Sequence, residues 1–75
     1  MERTRWGILG TGSIATKFAL GLRAADNAEL RAVGSRSSQT AETFAREHGA
    51  SHAHASYSEL AEDPEVDAIY IATPH

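Results

Sequence analysis

A glycine-rich segment near the start of the chain has the residue types and spacing of a phosphate-binding turn. Residues 10–15 read Gly-Thr-Gly-Ser-Ile-Ala, which fits G-x-G-x-x-A, a small-residue variant of the dinucleotide fingerprint. Gly10 permits a tight turn from strand to helix, Gly12 lets a pyrophosphate approach the backbone, and Ala15 keeps the helix close to the strand. Unpaired N–H groups and the positive end of the helix dipole then favour an anion. The turn is predicted to bind a dinucleotide; a turn that only packs the helix tightly is the alternative.

The residues after the second predicted strand indicate which dinucleotide is bound. An NAD site usually places an acid there, which accepts a hydrogen bond from the adenosine ribose. This sequence instead reads Gly34-Ser35-Arg36-Ser37. Arg36 can pair bidentately with a 2′-phosphate, and Ser35 and Ser37 can donate hydrogen bonds to it. The pattern favours NADP over NAD, but an arginine can also stack on the adenine of NAD, so NAD stays open. The missing acid counts against a methyltransferase domain, whose cofactor sites commonly use one.

Two histidines at alternate positions form a second candidate site. His52 and His54 are predicted to project from one face of a strand, as a pair of metal ligands can. The chain has no cysteine, and no convincing third ligand stands near the pair in the sequence. We therefore predict a polar edge strand and no metal site. We expect the acidic residues of the last third of the chain to form a solvated face and turn: Glu59, Glu62, Asp63, Glu65 and Asp67.

Hydrophobic periodicity predicts the elements that position these residues. Short apolar runs predict strands at 6–9, 30–33, 50–55 and 68–72. Helices are predicted at 13–23 and 38–48, and a brief third helix begins after Ser56. In the first helix, we expect Ile14, Phe18 and Leu22 to form the buried face, and Ser13 or Thr11 to cap the start.

Local signals also predict where elements begin and end. Gly49 is a natural stop for the second helix. Ser56 and Glu59 match a capping box for the third. The final run, from Ala68 to Ala72, has no polar alternation, so we expect a strand that is buried on both faces.

This order predicts an α/β fold with a Rossmann-type, doubly wound parallel sheet of strand order 3-2-1-4. The first two helices then cover one face of the sheet, and only the short third helix covers the other. A parallel sheet needs cover on both faces. We therefore expect residues 1–75 to be the N-terminal part of a dinucleotide-binding domain, with a further substrate domain absent from the chain.

Composition excludes several classes of protein. The 75 residues carry a formal net charge of −3 with no run of Lys or Arg, so a nucleic-acid partner is not expected. The N-terminus has no apolar segment of a signal peptide, and no apolar run approaches the roughly 20 residues that span a bilayer. We expect no membrane partner and a cytoplasmic location.

Four segments together resemble the Gfo/Idh/MocA family of oxidoreductases. They are RWGILGTGSIATKF, GSRS, AETFAREHGA and YSELAEDPEVDAIYIATPH, and they span nearly the whole chain. The most specific part is D-P-x-V-D followed by Y-I-A-T-P-H. The RWGI opening looks most like the branch of dihydrodiol dehydrogenases and NADP-dependent D-xylose dehydrogenases.

The resemblance implies a two-domain enzyme that moves a hydride between a sugar, cyclic alcohol or diol and a nicotinamide, and that forms a homo-oligomer at full length. A regulator or scaffold that only senses NAD(P) is the alternative. The family's catalytic lysine lies in an E-K-P motif beyond the A-T-P-H segment, and Lys17 does not match it, so no catalytic residue is assigned here. The resemblance and the motifs together assign these residues to the cofactor: Gly10, Thr11, Gly12, Ser13, Ile14, Ser35, Arg36, Ser37, Ala72, Thr73, Pro74 and His75.

Overall fold

Four strands and three helices alternate in the computed structural model, which describes residues 3–72. The elements are β1 (Thr4–Leu9), α1 (Ser13–Ala24), β2 (Ala28–Gly34), α2 (Ser38–His48), β3 (His52–His54), α3 (Tyr57–Ala61) and β4 (Ala68–Ile71). The strands pair in parallel in the order β3-β2-β1-β4. This confirms the predicted Rossmann-type topology. Strands β2 and β3 are added on one side of β1, and β4 then pairs with the other side of β1.

Helix α1 packs on the sheet through small residues. Its buried residues are Ala15, Ala19 and Leu22, and Phe18 beside them stacks on Tyr70 of β4 with ring centroids 4.0 Å apart. The prediction that residue 14 belongs to this face is wrong, because its side chain is 56% exposed. The buried stripe follows the i, i+3, i+4, i+7 pattern, and position 14 lies about 90° from its centre at 100° per residue.

Helix α2 begins and ends as its sequence predicts. Ser37 is the N-cap residue, and its Oγ accepts a hydrogen bond from the N–H of Thr40 at 3.3 Å. Gly49 ends the helix in the left-handed region, with φ +80°. Helix α1 differs from prediction, because its N-cap residue is Gly12 and no side chain caps it. Capping by Ser13 or Thr11 is therefore wrong.

Helix α3 lies on the opposite face of the sheet, directly above two glycines. Its Leu60 is fully buried. A Cβ atom on Gly34 would lie 2.9 Å from the Cβ of Leu60, and one on Gly7 would lie 3.0 Å from its Cδ1. Only residues without a side chain leave room for the helix at this distance. Ser56 caps α3 as predicted, accepting from the N–H of Glu59 at 3.2 Å.

Strand β4 is covered on one face only. Tyr70 is half-buried on the α1 side, but Ile69 and Ile71 on the other side are 38% and 65% exposed. The prediction of a strand buried on both faces is therefore wrong within residues 3–72. The reason is that α3 is the only described helix on that face, and it packs on β1, β2 and β3. The sequence predicts this incomplete cover for the sheet as a whole.

Candidate functional site

A cavity of about 430 Å³ opens at the carboxyl ends of the strands. In doubly wound sheets, ligands bind at this edge, where the strand order reverses. Six of the twelve residues assigned to the cofactor meet here, together with one that was not assigned: Gly10, Thr11, Gly12, Ser35, Arg36, Ala72 and Tyr57.

The glycine turn connects β1 to α1 in a conformation that depends on its glycines. Gly10 has φ +109°, which L side chains rarely adopt. Its N–H donates to the carbonyl of Gly34 at 2.9 Å, so the ends of β1 and β2 are joined. At Gly12, a Cβ atom would meet no protein atom within 4 Å. The turn thus has the open backbone that a pyrophosphate requires.

The start of α1 can accept an anion. The first N–H groups of a helix have no partner within it, and no side chain caps this one. Ser13 and Ile14 lie in this first turn and are exposed. Their side chains do not line the cavity. The backbone N–H groups of this first turn nevertheless point toward the N-terminal end of α1, which follows the glycine turn.

The segment after β2 forms another part of the cavity. Ser35 is buried, and its N–H donates to the carbonyl of His54 at 3.1 Å. Its Oγ accepts from the N–H of Ser37 at 3.4 Å, and this holds the backbone on both sides of Arg36. Arg36 is exposed and forms no salt bridge within residues 3–72. Ser37 caps α2 and does not line the cavity.

The predicted site and the observed cavity lining do not coincide completely. Thr73, Pro74 and His75 lie outside the described residues. Tyr57, the first residue of α3, is half-buried and lines the cavity, whereas the sequence around it predicts only a capping box. Only the predicted topology carried a signal for it, because α3 follows β3 and the carboxyl ends of all parallel strands meet at this edge.

Asp63 is buried and forms a cluster with the two half-buried histidines of β3. Its side chain is 3% exposed, and its Oδ2 lies 2.7 Å from Nδ1 of His52 and 2.8 Å from Nε2 of His54. Its Oδ1 accepts from the N–H of Glu65 at 2.9 Å. Burial raises the pKa of Asp63, but these three hydrogen bonds outweigh it and hold the pKa well below its usual range. The expectation that Asp63 lies on a solvated face is wrong, because the turn after α3 folds back against β3.

Two arginines hold the same turn against the sheet. Arg31 is the extra residue at a register shift of β2 against β1, and its guanidinium binds Glu65 at 2.7 Å and Glu29 at 2.8 Å. Arg5 of β1 binds Asp67 through its backbone N–H at 2.8 Å and its Nε at 3.1 Å. Hydrogen bonds from Arg5 lower the pKa of Asp67 to about 2.

The lowered pKa of Asp67 predicts a loss of stability in acid. A carboxyl whose folded pKa lies below its unfolded value of about 3.9 stabilises the fold above that value, and the contribution is lost as the pH falls toward the folded pKa. Asp67→Asn should therefore flatten the fall in unfolding free energy between about pH 5 and pH 2. Urea unfolding followed by circular dichroism across this range measures it. Asp26→Asn, an exposed aspartate after α1, is the control; equal slopes for the two variants would contradict the role of Asp67.

No helix within residues 3–72 is long and apolar enough to cross a membrane.

Comparison with known proteins identifies the family. The model of the Gfo/Idh/MocA oxidoreductases, described as having an NAD-binding Rossmann fold, matches residues 4–75. The chain is 42% identical over 73 residues to trans-1,2-dihydrobenzene-1,2-diol dehydrogenase of Danio rerio, covering 95% of this chain and 22% of that protein. The corresponding enzyme of Homo sapiens is 40% identical over 73 residues, with the same coverage.

Solved structures confirm the fold. A 3-ketoreductase from Actinomadura kijaniata, in complex with NADP, superposes with a TM-score of 0.91 and 30% identity, covering 97% of this chain and 23% of that one. The chain spans about 22% of the length of the curated relatives it matches. Because the family model matches almost every residue, and the strand order and glycine turn agree with it, the chain belongs to the Gfo/Idh/MocA family of oxidoreductases.

Proposed function

We propose that this chain is the N-terminal part of the cofactor-binding domain of an NAD(P)-dependent dehydrogenase, and that it binds NADP in preference to NAD. One observation carries the proposal: the glycine turn and the Ser35–Arg36 segment, which are separate in the sequence, line a single cavity at the carboxyl edge of the sheet. A dinucleotide needs both sites at once, because its pyrophosphate lies at the glycine turn while its adenosine ribose lies at the end of the second strand.

The residues of the cavity fit the parts of a dinucleotide. Gly10, Thr11 and Gly12, with the N–H groups of the first turn of α1, would hold the pyrophosphate. Arg36 would pair with a 2′-phosphate, and its exposed guanidinium supports this role because no acid of the described chain engages it. The ring of Tyr57 would add an aromatic wall. The bound cofactor would supply the hydride chemistry, and this chain would bind and orient it.

We also propose the class of substrate and the parts that complete the enzyme. We propose a substrate of the sugar, cyclic alcohol or diol class; the support is that close relatives are named diol dehydrogenases. We further propose that Thr73, Pro74 and His75 contribute to cofactor binding, and that a C-terminal substrate domain carries the catalytic acid/base. A cytoplasmic homo-oligomer is the state we propose for the full-length enzyme.

Calorimetric titration of the full-length enzyme with NADPH and NADH tests the cofactor assignment. We expect tighter binding of NADPH. Arg36→Asp should weaken NADPH by about 1.5–3 kcal/mol, the range for a hydrogen bond to a charged group, since the variant loses the contact with the 2′-phosphate. NADH affinity should change much less. Arg46→Asp, on the exposed face of α2, is the matched control for the loss of one cationic side chain.

Two results would overturn parts of this proposal. Equal affinity for the two cofactors, or an Arg36→Asp variant that keeps its NADPH affinity, would show that Arg36 is a surface arginine that does not bind the 2′-phosphate. Cofactor binding without reduction of NADP in the presence of sugars and diols would favour a regulator that senses NAD(P).

A further inference from the structure

We propose that His52, His54 and Asp63 form a binding site for one divalent transition-metal ion of the zinc type. The three candidate ligand atoms, one from each residue, lie within 4.8 Å of one another. The sequence offered only the histidine pair, and the prediction of no metal site depended on the lack of a third ligand. The fold supplies that ligand by bringing Asp63 against β3.

The geometry of the cluster is close to that of a metal site. His52 and His54 project from the same face of β3, with ring centroids 6.1 Å apart. Both ligand nitrogens converge on a single oxygen of Asp63, at 2.7 and 2.8 Å. Ligand atoms at about 2.0–2.2 Å in a tetrahedral zinc site lie about 3.4 Å apart. Separating each nitrogen from the carboxylate oxygen by about 0.6 Å would therefore admit the ion.

The nitrogen atoms that face away from Asp63 point to the same assignment. Nε2 of His52 lies 3.7 Å from Oε1 of Glu65, and Nδ1 of His54 lies 3.9 Å from Oε1 of Glu59. Histidines that bind a metal through one nitrogen usually direct the other N–H toward a carboxylate or carbonyl, which fixes the tautomer and makes the ligand more basic. Each histidine here has a carboxylate on that side, within ion-pair range but beyond hydrogen-bond distance.

Charge and access favour a dication. The carboxylates of Asp63, Glu65 and Glu59 lie around the two imidazoles. Among the described residues, Arg31 is the one cationic side chain that contacts any of these three carboxylates, through Glu65. The histidine side chains are 33% and 21% exposed, so the site is open to solvent and can add water as a further ligand. Two nitrogens and one oxygen suit zinc, copper or nickel better than magnesium or calcium. An ion held here would tie the turn after α3 to the edge strand.

Titration of the purified protein with zinc chloride at neutral pH, against a competing zinc dye, tests the proposal. We expect one ion per chain and a rise in the melting temperature on saturation. His54→Gln should weaken zinc by at least about 100-fold, and Glu59→Gln, which changes an exposed outer carboxylate, by about 10-fold. His48→Gln, at the end of α2, removes a histidine outside the cluster and should leave binding unchanged.

The proposal fails if the protein binds zinc no tighter than about 100 µM, or if His54→Gln and His48→Gln bind it equally. If His54→Gln does not fold, histidine ring nitrogen shifts in the NMR spectrum of the unmodified protein decide the matter: zinc must shift those of His52 and His54. Shifts at other histidines alone would overturn the assignment. NADPH titration measures the dinucleotide cavity separately, so failure of either proposal is distinguishable from failure of the other.

Discussion

Replacing Gly12 by aspartate is expected to weaken NADPH binding by at least about 100-fold, or about 2.7 kcal/mol, while slightly stabilising the fold. Gly12 is the N-cap residue of α1, which has no side-chain cap. Aspartate is a preferred N-cap residue, and its charge is favourable at a helix N-terminus. The fold has room for it, because a Cβ there meets no protein atom within 4 Å. The carboxylate would occupy the N–H groups that the pyrophosphate needs, and it would repel the phosphates.

The opposite signs of the two effects make this test sharp. Calorimetric titration measures the loss of binding, and urea unfolding measures a gain in stability of a few tenths of a kcal/mol, the usual difference between glycine and a better N-cap residue. Gly12→Asn is the matched control, because asparagine caps without charge and should lose less affinity. An aspartate variant that binds NADPH normally would show that the phosphates lie elsewhere than at α1.

Replacing Leu60 by alanine is expected to lower the free energy of unfolding by about 2–5 kcal/mol, the range for large-to-small changes in a core. Leu60 is fully buried, and it covers Gly7 and Gly34, which have no side chains that could move into the space. The cavity left by the substitution therefore cannot collapse easily. For a domain of this size, such a loss is a large part of the total stability.

Urea unfolding measures this loss. Leu20→Ala removes the same atoms from an exposed position of α1, where the leucine is 52% exposed, and it should cost less than about 0.5 kcal/mol. Similar values for the two variants would mean that α3 is not packed on the sheet as described. Because Tyr57 belongs to α3, the Leu60→Ala variant should also bind NADPH more weakly than the Leu20→Ala variant.

Local chemistry made a large part of this protein predictable. Gly49 ends α2 because the left-handed region costs glycine little, and Ser56 precedes α3, where its side chain accepts a hydrogen bond from a free N–H group of the first turn. The alternation of apolar runs with helical periods predicts the strand order, since right-handed crossovers leave few topologies. The glycine turn was recognisable for the same reason. A tight turn and a close approach of the pyrophosphate both require residues without a side chain, so glycines at these positions indicate the turn directly.

By itself, therefore, the sequence determined the topology, both ends of α2 and six of the seven described residues that line the cavity. Only the tertiary structure decided which distant side chains meet. Asp63 looked like part of a solvated turn, yet it closes on His52 and His54 because the turn after α3 lies against the edge strand. Tyr57 reaches the cavity because β3 ends at the same edge as β1 and β2. These contacts depend on how the strands pair and on where α3 packs against Gly7 and Gly34. Neither can be predicted from a local pattern of residue types.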